Sequence, residues 1–114
     1  MQYLLLIYSD EKIGASMSKA EMGTVHGEYM AFLKDFAGAI RGSNGLQPTG
    51  TAKTVRVRDG KSLITDGPFA ETKEQLGGYF LVGAGSQDEA LAIAAKIPSA
   101  RFGGVEVRPI WVMA

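Results

Sequence analysis

Residues 2–8, Gln2-Tyr3-Leu4-Leu5-Leu6-Ile7-Tyr8, carry β-favouring side chains with no polar alternation. That pattern fits a central strand covered on both faces. Ser9-Asp10-Glu11-Lys12 breaks it, and 11–17, with Gly14 inside, reads as a loop. Ser18 followed three residues later by Glu21 spells a capping box, with Met17 and Met22 at the hydrophobic-staple positions. Met22, Val25, Tyr29, Leu33, Phe36 and Ile40 then recur at helical spacing and predict a helix over about 19–39, ended by Gly42 and Gly45. Residues 46–52 read as irregular because Pro48 and Gly50 oppose a central strand, leaving room for a short edge strand around Leu46.

The second half returns to period two. Thr54-Val55-Arg56-Val57-Arg58, Asp59-Gly60 and the return through Lys61 to Thr65 predict a hairpin. Val55 and Val57 share one of its faces, Arg56 and Arg58 the other. Gly67 and Pro68 interrupt any continuation, and 69–75 reads as a polar loop with at most a helical turn near Glu71. Gly78 to Val82 predicts another strand. A second helix opens at Ser86 with Asp88 and Glu89 in its first turn, buries Ala90, Ile93, Ala94 and Ile97, and stops at Pro98. The last strand is predicted over about 104–112, with Pro109 marking an edge or a bulge.

This order predicts one α+β domain over residues 1–114: a ferredoxin-like split β-α-β sandwich with an extra β-hairpin. Two helices cover one face of a sheet. Either Tyr3, Leu5, Ile7, Phe80 and Val82 or their alternates are then left as an apolar face without cover, and a homodimer through that face is expected.

Composition narrows the chemistry. Twelve basic and twelve acidic residues cancel, and no Lys/Arg run is present, so neither nucleic acid nor an anionic membrane is an expected partner. No residue is cysteine, which removes disulfides, thiolate nucleophiles and sulfur-ligated metal sites. The apolar opening has no basic leader and is too short for a membrane span, so a cytoplasmic location is expected.

His26 is the single histidine, placed on or beside the apolar stripe of the first long helix. Its imidazole is suited to general acid or base work near neutrality, and equally to a partly buried role satisfied by one hydrogen bond. Asp66, before Gly67-Pro68, either orients His26 or serves as an ordinary turn former. Tyr8, Tyr29 and Tyr79 are candidates to line a substrate cleft or fill a core, and Arg56 to hold an anionic ligand or face solvent. Gly83-Ala84-Gly85-Ser86 lacks the lysine and the glycine spacing of nucleotide loops. Neither a cofactor nor a metal is expected. A small cofactor-independent enzyme with a His26–Asp66 pair thus stands beside a non-catalytic dimeric module that binds a small molecule or a protein.

The run from Thr65 to Phe80, Thr65-Asp66-Gly67-Pro68-Phe69-Ala70-Glu71-Thr72-Lys73-Glu74-Gln75-Leu76-Gly77-Gly78-Tyr79-Phe80, resembles the signature of DGPF-type, YCII-related proteins. The opening strand and the helix with His26, Tyr29 and Phe32 are similar to that family as well. The resemblance implies the dimeric α/β-barrel superfamily, with homodimers formed sheet to sheet. It also implies a cleft histidine and an acidic partner, onto which His26 and Asp66 map; one branch of the wider family removes chloride from a chlorinated hydroxyquinol. Some DGPF-type proteins are encoded beside alternative sigma factors, so the resemblance also implies a regulatory setting for the non-catalytic module.

Overall fold

The computed structural model describes residues 1–112. Its elements are β1 (Gln2–Ser9), α1 (Glu11–Ser16), α2 (Lys19–Asp35), β2 (Ile40–Gly45), β3 (Lys53–Arg58), β4 (Lys61–Asp66), β5 (Gln75–Gly83), α3 (Gln87–Ala95) and β6 (Gly104–Pro109). Short 3₁₀ turns occupy Thr49–Thr51 and Pro98–Arg101. β1, β2, β5 and β6 form a sheet in the order β2-β5-β1-β6, every neighbouring pair antiparallel. This is the ferredoxin-like α+β arrangement. β3 and β4 form a separate two-stranded sheet.

Register decides which side chains meet. Tyr3 opposes Val82, Leu5 opposes Phe80 and Val107, and Ile7 opposes Val105. Opposed residues of an antiparallel ladder share a face. Those residues face the helices and join Phe32 of α2 and Ala90, Ile93 and Ala94 of α3 in the core, with Ile97 beyond the end of α3. Phe80 meets Phe32 edge-on at 5.1 Å between ring centroids. The small side chains of α3 let it lie close to the sheet. Leu4, Leu6, Tyr79 and Leu81 are the alternates, half-buried on a face that carries no helix.

Several boundaries differ from the sequence reading. The 11–17 loop contains α1, capped by the Asp10 carboxylate, which accepts from the Lys12 backbone N–H at 2.9 Å. Helix α2 opens on the expected Ser18–Glu21 capping box but stops at Asp35, so Ile40 begins a strand and does not extend a helical stripe. β2 precedes the expected edge strand near Leu46. As an edge strand bonded to β5 alone, it needs only Ile40 for the core and tolerates Arg41, Gly42, Ser43 and Asn44, a composition that conceals it. β5 begins at Gln75, three residues early, with a bulge at Gly77 between the Ile7–Gly78 and Tyr8–Leu76 pairs. β6 ends at Pro109, whose ring cannot extend a ladder, and does not reach residue 112.

The dimeric α/β barrel implied by the family resemblance is not formed. β2 and β6 are free edges of an open sheet. Four strands, each turned roughly 20–25° from the next, do not close on themselves; barrels of about eight strands do. The hairpin that would widen the sheet pairs only within itself. It also projects from the body. Eleven of its twelve strand residues are exposed. The radius of gyration is 16.1 Å, against about 13 Å for a compact chain of this length.

Candidate functional site

The bulge at Gly77 shifts the β1–β5 register just before the final Tyr8–Leu76 and Ser9–Gln75 pairs, and two clefts open at this end of the sheet. The first, about 350 Å³, borders Ile7, Ser9, Tyr29, Asn44, Tyr79 and Ser99. Tyr29 reaches across from α2 to place its hydroxyl 2.5 Å from the Ser99 hydroxyl. Asn44 donates to the Tyr79 hydroxyl at 2.9 Å. Both tyrosines therefore already have polar partners within the chain.

The second cleft, about 540 Å³, is the more apolar one. Tyr8, Leu46, Ala52, Pro68, Phe69 and Leu76 contribute to its wall. Its frame is polar and built from three loops. Glu11, in the first turn of α1, accepts from the Thr49 backbone N–H at 2.7 Å and the Thr49 hydroxyl at 3.2 Å. The Glu11 backbone N–H donates to Gln75 Oε1 at 2.9 Å, and Gln75 Nε2 donates to the Thr72 carbonyl at 2.6 Å. Gly67 adopts φ +100°, which lets the chain turn sharply, and its N–H donates to the Ala52 carbonyl at 2.7 Å. Pro68 and Phe69 are thereby aimed at the cleft, with the Arg56 guanidinium 4.6 Å from the Phe69 ring centroid. The result is an apolar slot with a cation at its rim.

The sequence-predicted residues fall in three places. Tyr29 and Tyr79 border the first cleft, Tyr8 lines the second, and Arg56 stands at the rim of the second. His26 and Asp66 line neither cleft. His26 is exposed on α2 and not packed in its apolar stripe. At about 100° per residue it lies roughly 120° round the helix from Phe32, off the face that enters the core. Asp66 is exposed at the end of β4, where its carboxylate accepts from the Lys53 ammonium at 2.5 Å. No hydrogen bond or ion pair joins it to His26 in the described chain. Among the described residues, no three His, Asp or Glu side chains converge as a metal-ligand set. No described helix is long and apolar enough to cross a membrane.

Leu46, Thr49, Phe69 and Gln75 matter to this geometry but carry no chemical signal of their own in the sequence, whereas Glu11, with Asp10, is a candidate carboxylate at the end of the first strand or simply a loop residue. Asp10-Glu11 did offer a signal, since an acidic pair opening a short helix is an N-terminal signature. Thr49 and Gln75 offered none, because their role depends on loops that meet only after folding.

A profile of the YCII-related domain matches residues 1–114. The chain belongs to the YCII-related domain family. An uncharacterised protein of Rhizobium meliloti (strain 1021) is 40% identical to this YCII-related chain over 114 residues, covering 96% of it and 92% of the relative. Among solved structures, 5-chloro-2-hydroxyhydroquinone dehydrochlorinase from Burkholderia phenoliruptrix AC1100, in complex with 2,5-dihydroxybenzoquinone, shares the fold. The TM-score is 0.53 at 15% identity, with 100% of this chain and 96% of that one covered.

Proposed function

We propose that this YCII-related protein is a homodimeric module that binds a small, flat, largely apolar molecule in the slot between Tyr8, Leu46, Pro68, Phe69 and Leu76. The observation that carries the reading is the composition of that slot: an apolar wall of about 540 Å³ held by a hydrogen-bonded polar frame, a size within the range of small-molecule sites. Arg56 beside the Phe69 ring favours a ligand with an electron-rich or anionic rim. The homodimer covers the open sheet face that bears Leu4, Leu6, Tyr79 and Leu81, because a contiguous apolar face of this kind is otherwise left to water.

A second reading, acid–base catalysis by His26 with Asp66 as its orienting carboxylate, draws on the fold shared with a dehydrochlorinase and on the solvent-accessible position of His26. It requires Asp66 to leave Lys53. Titration with 2,5-dihydroxybenzoquinone, followed by ligand-observed NMR, separates the two. The binding reading expects saturable binding that Phe69→Ala and Arg56→Ala each weaken about tenfold, with His26→Ala unchanged. Undiminished binding by Phe69→Ala refutes the slot. Turnover of a chlorinated hydroxyhydroquinone, with loss of HCl, that disappears in His26→Ala replaces the binding reading with the catalytic one.

A further inference from the structure

We propose that the β3–β4 hairpin is an arm that clasps a second copy of this chain, laying its Val55–Val57–Ile64 face on that copy and closing the open side of the apolar slot. This rests on the homodimer of the proposed function and adds a second contact to it. Val55 opposes Ile64 and Val57 opposes Ser62, so Val55, Val57 and Ile64 share one face. Arg56 opposes Leu63 and Arg58 opposes Lys61, which puts three cations on the other. The hairpin is therefore amphipathic, yet Val55, Val57 and Ile64 are 61%, 60% and 66% exposed.

A two-stranded hairpin standing alone in water is marginal. Exposed β-branched residues along an unprotected ladder also invite association. Within its own chain the arm has no body to rest on, because β3 and β4 pack chiefly on each other. The cationic face favours water, which leaves the valine face as the one to dock. Its occupant is a second copy for three reasons. The arm's base runs directly into the slot: Asp66 ends β4, and Phe69, 70% exposed, follows three residues later. The slot in turn meets the bare sheet face at Tyr8 and Leu76, so a copy seated on that sheet face lies beside the slot and the arm's base. Finally, the arm's apolar side chains and Phe69 offer roughly 400 Å², about half of the ~800 Å² per partner in a stable interface. The uncovered sheet face of the same chain supplies the remainder. Twelve basic against twelve acidic residues put no net repulsion between copies.

The test uses the full chain, which has no cysteine of its own. Sedimentation and light scattering on wild type are expected to give twice 12.1 kDa. The double substitution Val57→Glu, Ile64→Glu is expected to raise the dimer dissociation constant about 100-fold, with far-UV circular dichroism unchanged because both positions are exposed. A nitroxide on Val57→Cys is expected to be immobilised in the dimer and to report only intermolecular distances. A dimer unaffected by the double substitution, with a freely tumbling label, overturns the arm while leaving the sheet interface standing. Leu6→Glu then locates that interface. A wild type that stays monomeric at millimolar concentration overturns both.

Discussion

Gly103 and Gly104 are adjacent, and their environments are opposite. A methyl group built on Gly103 runs into the Tyr8 carbonyl oxygen and stands 2.9 Å from both the Tyr8 carbonyl carbon and the Ser9 Cα, whereas one built on Gly104 meets nothing within 4 Å. The obstacle at Gly103 is backbone, which cannot rotate aside. Gly103→Ala therefore forces the end of β1 away from the start of β6 by more than 1 Å, into the range of ordinary van der Waals contact. The Tyr8–Gly104 pairing and the Gly103 N–H bond to the Ser99 carbonyl, 3.0 Å long, lie at that junction. Overpacking costs 1–3 kcal/mol, and each strained or lost hydrogen bond adds about 1 kcal/mol. Together these give roughly 3 kcal/mol for Gly103→Ala, or about 10–20 °C in Tm for a domain of this size. Gly104→Ala is expected within about 0.5 kcal/mol of wild type. Urea unfolding at matched protein concentration measures both, with the m-value showing whether the unfolding transition is otherwise unchanged. Because Tyr8 lines the apolar slot and Ser9 the neighbouring cleft, Gly103→Ala should also weaken ligand binding. Equal stability of the two alanine variants would refute the contact at Gly103 and with it the close approach of β1 to β6.

Leu5, fully buried between Phe80 and Val107, is expected to cost about 3 kcal/mol as Leu5→Ala, read as a lower urea midpoint that persists at low protein concentration. Ser18→Ala should cost about 1 kcal/mol, because it removes the cap on the Glu21 N–H. The same substitution should change the acid limb of the stability curve. The Ser18 backbone N–H, and secondarily its side chain, hold the Glu21 carboxyl below its usual value of 4.5. A depressed carboxylate contributes stability above its unfolded pKa and loses it as pH falls through the folded one. The loss attributable to Glu21 should therefore develop below about pH 4.5 in wild type and shrink in Ser18→Ala, as followed by acid titration of ellipticity. Asp66→Asn should shift stability by no more than about 0.5 kcal/mol, since the Lys53–Asp66 side chains are 66% and 87% exposed; a larger loss in thermal melts would show that this pair is not merely a surface contact.

Much of the fold could be read from local rules. The capping box at Ser18, the Ser86 cap on the Glu89 N–H, the Asp59-Gly60 turn and the α3 stripe of Ala90, Ile93 and Ala94 each depend on neighbours within a few residues, and each stands in the structure where its pattern places it. The succession of β1, α2, the β3–β4 hairpin, β5, α3 and β6 follows from the same kind of signal, with α1 and β2 missing from it. Edge strand β2 escaped notice for a physical reason: a strand buried on one flank needs little apolar character, and Ile40 fits a helical stripe as well as a strand. His26 shows the same limit. Spacing placed it near the apolar face, but the rotation of α2 on the sheet is chosen by Phe32, Phe36 and Phe80, and that rotation leaves the imidazole exposed.

The amino-acid sequence by itself determined, in outline, β1, α2, the two hairpin strands, β5, α3 and β6, together with the amphipathic hairpin and the absence of any thiol chemistry, since these follow from residue type and short-range spacing. Only the tertiary structure decided which alternate side chains of β1 and β5 face the helices and which of two adjacent glycines is indispensable. It also decided that Glu11, Thr49 and Gln75 would frame an apolar slot. Those outcomes depend on register and on contacts between segments distant in the chain, such as Glu11 and Gln75, 64 residues apart, and a one-residue slip, invisible to local pattern, would reverse the sheet faces involved.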